Sequence, residues 1–171
     1  SKNILKQYYS RKKQLRLLKL ILLKLGFNFS KGKYSNGTRG VALKLAPDDL
    51  RIILKVSSYN FSRALSSALH ECGHYLYFQG AKDKIWFTWS HGTSLGSSIS
   101  IQEAIASLYQ IYLIQSREFW DWAYPHLQET FPKKLKSYSK GEFYDELTYP
   151  SYSYAKRDYI RLDGFTFMCV D

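Results

Sequence analysis

His70, Glu71 and His74 stand in the spacing His-Glu-x-x-His, inside the stretch Ala68-Leu69-His70-Glu71-Cys72-Gly73-His74-Tyr75-Leu76-Tyr77. On an α-helix, residues four apart share a face, so His70 and His74 offer two imidazoles to one metal ion. Glu71, one step round, reaches the place beside them where a metal-activated water would sit. Zn²⁺ brings the pKa of such a water to about 7, and a neighbouring carboxylate can take its proton as it attacks a carbonyl. A pattern with two free positions also arises by chance, so it needs a third ligand to carry weight. Glu103 is the candidate, a carboxylate on an otherwise apolar segment. Two imidazoles and one carboxylate leave the fourth position of a catalytic site open.

These groups need two helices to hold them. Ala64, Leu65, Ala68, Leu69 and Leu76 give the first an apolar face; Ser57, Ser58 and Asn60 offer its caps and Gly80 closes it. The second runs from Ile99 to about Gln115, and the spacing predicts that it buries Ile101, Ile105, Leu108 and Tyr112, with Ala104 and Ile111 flanking. Before the motif, Val41–Leu45 and Leu50–Val56 read as a β-hairpin joined by Ala46-Pro47-Asp48-Asp49. Leu50–Val56 is the expected sheet edge for an extended peptide to pair with. Phe27 to Gly40 reads as loop. Asn3 to Leu25 is helical, with Leu15, Leu18, Leu22 and Leu25 in one stripe and Gly26 as its stop. Arg117 to Phe131 is a further helix ending at Pro132, and the Tyr-rich stretch after Lys140 has no readable element. The expectation is a single, mainly α domain over residues 1–171 with one small hairpin.

Composition narrows the class. A chain of 171 residues, 45% hydrophobic and 17% aromatic, can bury a core, and its 15 tyrosines favour a polar-edged interior or an aromatic-lined cleft. Two cysteines, Cys72 and Cys169, make no disulfide framework, which points to a reducing, cytoplasmic setting; Cys72 is read as packing. The net charge of +11 is spread along the chain, with small clusters at Arg11-Lys12-Lys13 and Lys133-Lys134-Lys136 on no binding motif. It reads as solvated surface, so neither nucleic acid nor membrane is an expected partner. The leucine-rich N-terminal helix is too short and too charged to span a bilayer, and Lys19 and Lys24 interrupt any resemblance to a signal sequence.

Beyond the motif itself, the chain resembles the carboxypeptidase Taq family of metallocarboxypeptidases. Where that family reads HE-x-GH-A-L-Y-E-Q-G, His70 to Gly80 reads HECGHYLYFQG. Ile101-Gln102-Glu103-Ala104-Ile105 occupies the place of its HESQ motif, whose Glu is a metal ligand. Leu25-Gly26-Phe27-Asn28-Phe29 with Lys31-Gly32-Lys33, Asp49-Leu50-Arg51-Ile52-Ile53, Ser116-Arg117-Glu118-Phe119-Trp120 and Tyr124 to Pro132 follow in the family's order, as do Gly141 to Tyr144 and Ile160 to Asp163 near the end. There are departures. Gly37-Thr38-Arg39-Gly40 stands where the family has HPF, Ile53 replaces the Thr of D-x-R-x-T, HESQ keeps only its Glu, and the G-x-x-Q-D-x-H-W motif is absent.

The resemblance implies a zincin-like helical fold that binds Zn²⁺ through His70, His74 and Glu103, with Glu71 as general base and a peptide as substrate. It also implies a homodimer. Arg51 is the expected contact for a substrate carboxylate or a developing oxyanion, unless it pairs with Asp49. Asp49 is alternatively placed behind a ligand histidine. Arg161 is a second carboxylate contact, His91 reads as surface, and Tyr149, Tyr152 and Tyr154 are candidate phenols. Carboxypeptidase-like hydrolysis is the leading reading and endopeptidase activity the variant. The competing class is a catalytically inactive, zinc-binding remnant that acts structurally or through a partner.

Overall fold

The computed structural model of the chain describes residues 4–46, 48–80 and 99–148. A 3₁₀ turn, Ile4–Lys6, precedes α1 (Arg11–Lys24), so the helix starts later than the leucine spacing predicts. Its end is the expected one. Gly26, at φ 99°, donates its N–H to the Leu23 carbonyl at 3.1 Å, and Phe27 donates to Leu22 at 3.0 Å. That left-handed φ costs glycine nothing and most residues a great deal. α1 buries Leu17, Leu18, Ile21 and Leu22 together with Gln14. The Gln14 amide donates to the carbonyls of Tyr9 and Ser57, at 2.8 and 2.9 Å, and so ties the two ends of this layer together.

Three strands follow: β1 (Gly32–Asn36), β2 (Val41–Ala46) and β3 (Asp49–Leu54), in the order β1-β3-β2. β2 and β3 are the predicted antiparallel hairpin, with a register irregularity between Lys44 and Ala46. β1 lies inside the predicted loop and pairs parallel with β3, from Gly32 opposite Leu50 to Asn36 opposite Leu54. The expectation that Leu50–Val56 offers a free edge is therefore wrong. Both sides of β3 are already hydrogen-bonded, because residues 37–40 carry the chain across its end. Gly37 fastens that crossing by donating to the Leu54 carbonyl at 2.9 Å.

β3 buries alternate residues, Leu50, Ile52 and Leu54, beneath α2 (Phe61–Gly80). Asn60 caps α2, its Oδ1 accepting the Arg63 N–H at 3.0 Å. At the other end Lys44, from β2, donates Nζ to the Phe78 carbonyl at 3.3 Å, which serves a last-turn acceptor at the negative end of the helix dipole. Cys72 is fully buried on α2, and burial pushes its thiol up to about 12. It packs, as expected.

The remaining elements are α3 (Ile99–Gln115), α4 (Arg117–Thr130), α5 (Pro132–Leu135) and α6 (Lys140–Thr148). Ser116 caps α4 by accepting the Phe119 N–H at 3.0 Å. Rings of Tyr9, Phe61, Trp120, Tyr124, Phe131 and Phe143 form the aromatic end of the core in tilted and edge-on contacts. The interior is polar-edged, since Tyr9 and Tyr124 are buried with hydroxyls donating to the Ile4 and Tyr138 carbonyls at 2.7 Å. Among the described residues the fold is mainly α with a small sheet, as the sequence implies.

The facing of α3 is the second correction. Leu108 and Tyr112 are 62% and 67% exposed, and Ile101 and Ile111 are exposed with them. The buried positions are Gln102 and Ala106. Packing decides this: α3 lies against α2 where Gly73 has no side chain, and a Cβ there would stand 2.6 Å from Ala106 Cα. Only the small face of α3 can come so close. Gly73→Ala must push the two backbones apart. We expect it to cost about 1–3 kcal/mol of stability by denaturant unfolding, the usual range for overpacking, and an unchanged midpoint would contradict the close approach.

Candidate metal centre

α2 and α3 meet at a cluster of nitrogen and oxygen donors. His70 and His74 lie one turn apart on α2, with their Nε2 atoms 3.2 Å from each other. Glu103, from the first turns of α3, sets Oε2 3.3 Å from His70 Nε2 and Oε1 3.4 Å from His74 Nε2. The structure thus brings together the three residues singled out in the sequence, and they form a group able to hold a metal ion. His70 is buried, whereas the side chain of Glu103 is 42% exposed, so the cluster opens toward solvent on the α3 side.

The donors fit a small divalent ion. Four ligands at about 2.0–2.1 Å in a tetrahedron stand about 3.3 Å from one another, and the spacings of 3.2–3.4 Å match that edge. Two imidazoles with one carboxylate is the donor set of catalytic zinc sites, softer than the all-oxygen sets of magnesium or calcium.

A residue that the sequence argument passes over supports His70 from behind. Gln110 Oε1 lies 3.0 Å from His70 Nδ1, and Gln110 Nε2 donates to Ser66 Oγ at 2.7 Å. With its carbonyl aimed at Nδ1, Gln110 is placed to accept a hydrogen bond from an Nδ1–H, the tautomer that leaves Nε2 as the lone-pair donor. The signal is legible in hindsight: Gln110 is two turns after Glu103, and Ser66 one turn before His70, each on the ligand face of its helix. Outer-shell partners of this kind are worth about 10–100-fold in metal affinity. Gln110→Leu should weaken binding by that factor in a chelator competition while the fold stays intact. Unchanged affinity would remove Gln110 from the site.

Glu71 is 7% exposed, next to His70 on the helix. Asp49 and Arg51 are elsewhere. Arg51 Nε and Nη2 donate to the two oxygens of Asp49 at 2.8 and 2.6 Å. This bidentate pair lies on the face of β3 opposite its buried residues, and the Arg51 guanidinium holds the Asp49 carboxyl below its usual range. The pairing alternative holds for Arg51, and Gln110, not Asp49, stands behind His70. Arg161, His91, Tyr149, Tyr152 and Tyr154 lie outside the described residues. No described helix is long and apolar enough to cross a membrane.

The comparisons with known proteins agree with this geometry. The carboxypeptidase Taq (M32) metallopeptidase family matches residues 1–163. Carboxypeptidase 1 of Bacillus subtilis is 28% identical over 159 residues, covering 83% of this chain and 31% of its own length. Thermostable carboxypeptidase 1 of Pyrococcus furiosus is 26% identical over 160 residues, covering 93% of this chain and 30% of its own length. The crystal structure of the M32 carboxypeptidase from Deinococcus radiodurans superposes with a TM-score of 0.74 at 28% identity, over 83% of this chain and 28% of that one. The chain spans about three tenths of the length of the relatives it matches.

Proposed function

This chain belongs to the carboxypeptidase Taq (M32) metallopeptidase family, and on that premise we propose that it is a zinc-dependent peptidase that removes residues from the free C-terminus of a peptide. The observation that carries the reading is the convergence of His70, His74 and Glu103 at a tetrahedral edge spacing. Zinc, when bound, supplies Lewis acidity that polarises a carbonyl and lowers the pKa of water to about 7.

The chain's own residues do the rest. His70 and His74 would hold the ion through their Nε2 lone pairs, and Gln110 is placed to hold the His70 proton on Nδ1. Glu103 contributes the negative charge that offsets the ion. Glu71 takes the proton of water as its oxygen adds to the carbonyl carbon. It returns that proton to the amide nitrogen as the carbon–nitrogen bond breaks, so one carboxylate serves as base and then acid. β2 is the edge strand of the sheet on the side away from β1, and we assign it the pairing role for an extended substrate. With Arg51 engaged by Asp49, recognition of the terminal carboxylate falls to Arg161 or to Arg51 after exchange of partners. The setting we assign is cytoplasmic.

The departures from the HPF and HESQ motifs within the chain favour one second reading, a zinc-binding protein without turnover that acts through a partner. The zinc-loaded protein separates the two when given an N-blocked peptide with a free C-terminus and the same peptide as its C-terminal amide. Cleavage of the acid alone is the expected result. Cleavage of both marks an endopeptidase, and cleavage of neither at full metal occupancy establishes the second reading.

A further inference from the structure

We propose that Gly40 is a positioning residue for Glu71, and that the crossing of residues 37–40 is the wall that fixes where the base sits. This rests on the reading of Glu71 as general base. Gly40 ends the crossing and leads directly into β2. A Cβ built on it would stand 2.5 Å from Glu71 Oε1, 3.3 Å from Glu71 Cδ and 2.9 Å from Ser67 Oγ. Real Cβ atoms essentially never come within 3.0 Å of a heavy atom outside their own and the adjoining residues. Ser67 and Glu71 are four apart on α2 and share a face, so the main chain of Gly40 rests on a platform made by these two side chains.

Glu71 is a buried carboxylate, and on this side what limits its movement is backbone. If a methyl group is placed on Gly40, the helix does not have to yield, because the conflicting atom is the far end of a flexible side chain. The carboxylate swings instead. The cost of the methyl therefore falls on the position of the base and leaves fold stability nearly untouched. A misplacement of about 1 Å in a reacting group can cost about 10²-fold in rate. At Gly40 the crossing thus brings bare backbone against Glu71.

The test uses the full chain loaded with zinc. Gly40→Ala should keep its zinc and its unfolding midpoint, with kcat down about 10–100-fold and KM little changed. Glu71→Asp, which shortens the acid by one methylene, should then cost less in the Gly40→Ala background than in wild type, because the shorter side chain leaves room for the methyl. Unchanged kcat, or losses that simply multiply, would overturn the proposal. So would a Gly40→Ala chain that does not fold, since the cost would then lie in the scaffold. Ser67→Ala added to Gly40→Ala removes only the hydroxyl contact, and restored activity there would assign the effect to Ser67 and reject the proposal. A zinc-loaded wild type that cleaves no peptide defeats the functional reading alone. Crystal structures then decide the slot: a displaced Glu71 carboxylate in Gly40→Ala supports it, and an unmoved carboxylate beside a shifted crossing overturns it.

Discussion

Glu71→Gln is expected to bind one zinc per chain and to hydrolyse peptide about 10²–10⁴-fold more slowly than wild type, the usual contribution of a general base. Glutamine has the shape of glutamate, so the contact with Gly40 and the packing of α2 survive the change. Glu71 is not one of the three clustered donors, so metal content is expected to hold. What disappears is basicity: an amide oxygen does not take a proton from water near neutral pH. The interaction matters only as the proton moves, so kcat and kcat/KM should fall together with KM unchanged. Zinc analysis of the purified variant, beside steady-state kinetics on one peptide, measures both halves. A variant as active as wild type would remove Glu71 from the mechanism. A variant that loses its zinc would show that Glu71 holds the metal, directly or through His70.

The part of this that the sequence displays follows from how local each signal is. His70 and His74 are visible because a helix turns a four-residue spacing into a shared face, and Gly26 because a left-handed helix end has one cheap residue. The hairpin of β2 and β3 is marked by two apolar runs around a proline. β1 is not marked, because Lys33-Tyr34-Ser35-Asn36 has no apolar alternation and gains its strand state only by pairing with β3. That missed strand is why β3 was expected at an edge. α3 is apolar nearly all round, so periodicity could not say which side faces inward; the answer lies on another element, in the missing side chain of Gly73. α6 had a signal that composition obscured. Ser139 and Glu142 form a capping box, the Ser139 N–H donating to the Glu142 carboxylate at 2.8 Å and the Glu142 N–H to Ser139 Oγ at 3.2 Å. Gln110 needed the register of two helices against each other, which no single helix contains.

Glu103→Ala and His70→Ala are each expected to purify without stoichiometric zinc, where the wild type is expected to hold one ion per chain. The size of the loss can be bounded from within the site. Gln110, which touches only the far side of His70, is expected to be worth about 10–100-fold in affinity. A group that contacts the ion must count for more, so the two variants should bind zinc more than about 100-fold more weakly. Stability carries the same information by linkage. An ion that binds the folded chain alone stabilises it by about 2.7 kcal/mol at a free concentration 100 times Kd. Added zinc should therefore raise the unfolding midpoint of the wild type and leave that of Glu103→Ala where it was. Glu103 is the sharper of the two tests. Its carboxylate is 42% exposed and comes from a different helix, so its removal opens no cavity beneath α2 and a lost midpoint shift cannot be blamed on a damaged core. A Glu103→Ala protein that keeps its zinc would leave a two-histidine site, and would separate α3 from the chemistry altogether. A wild type that takes up no zinc even when it is supplied would make the meeting of α2 and α3 scaffold alone, and the peptidase reading would fall with it.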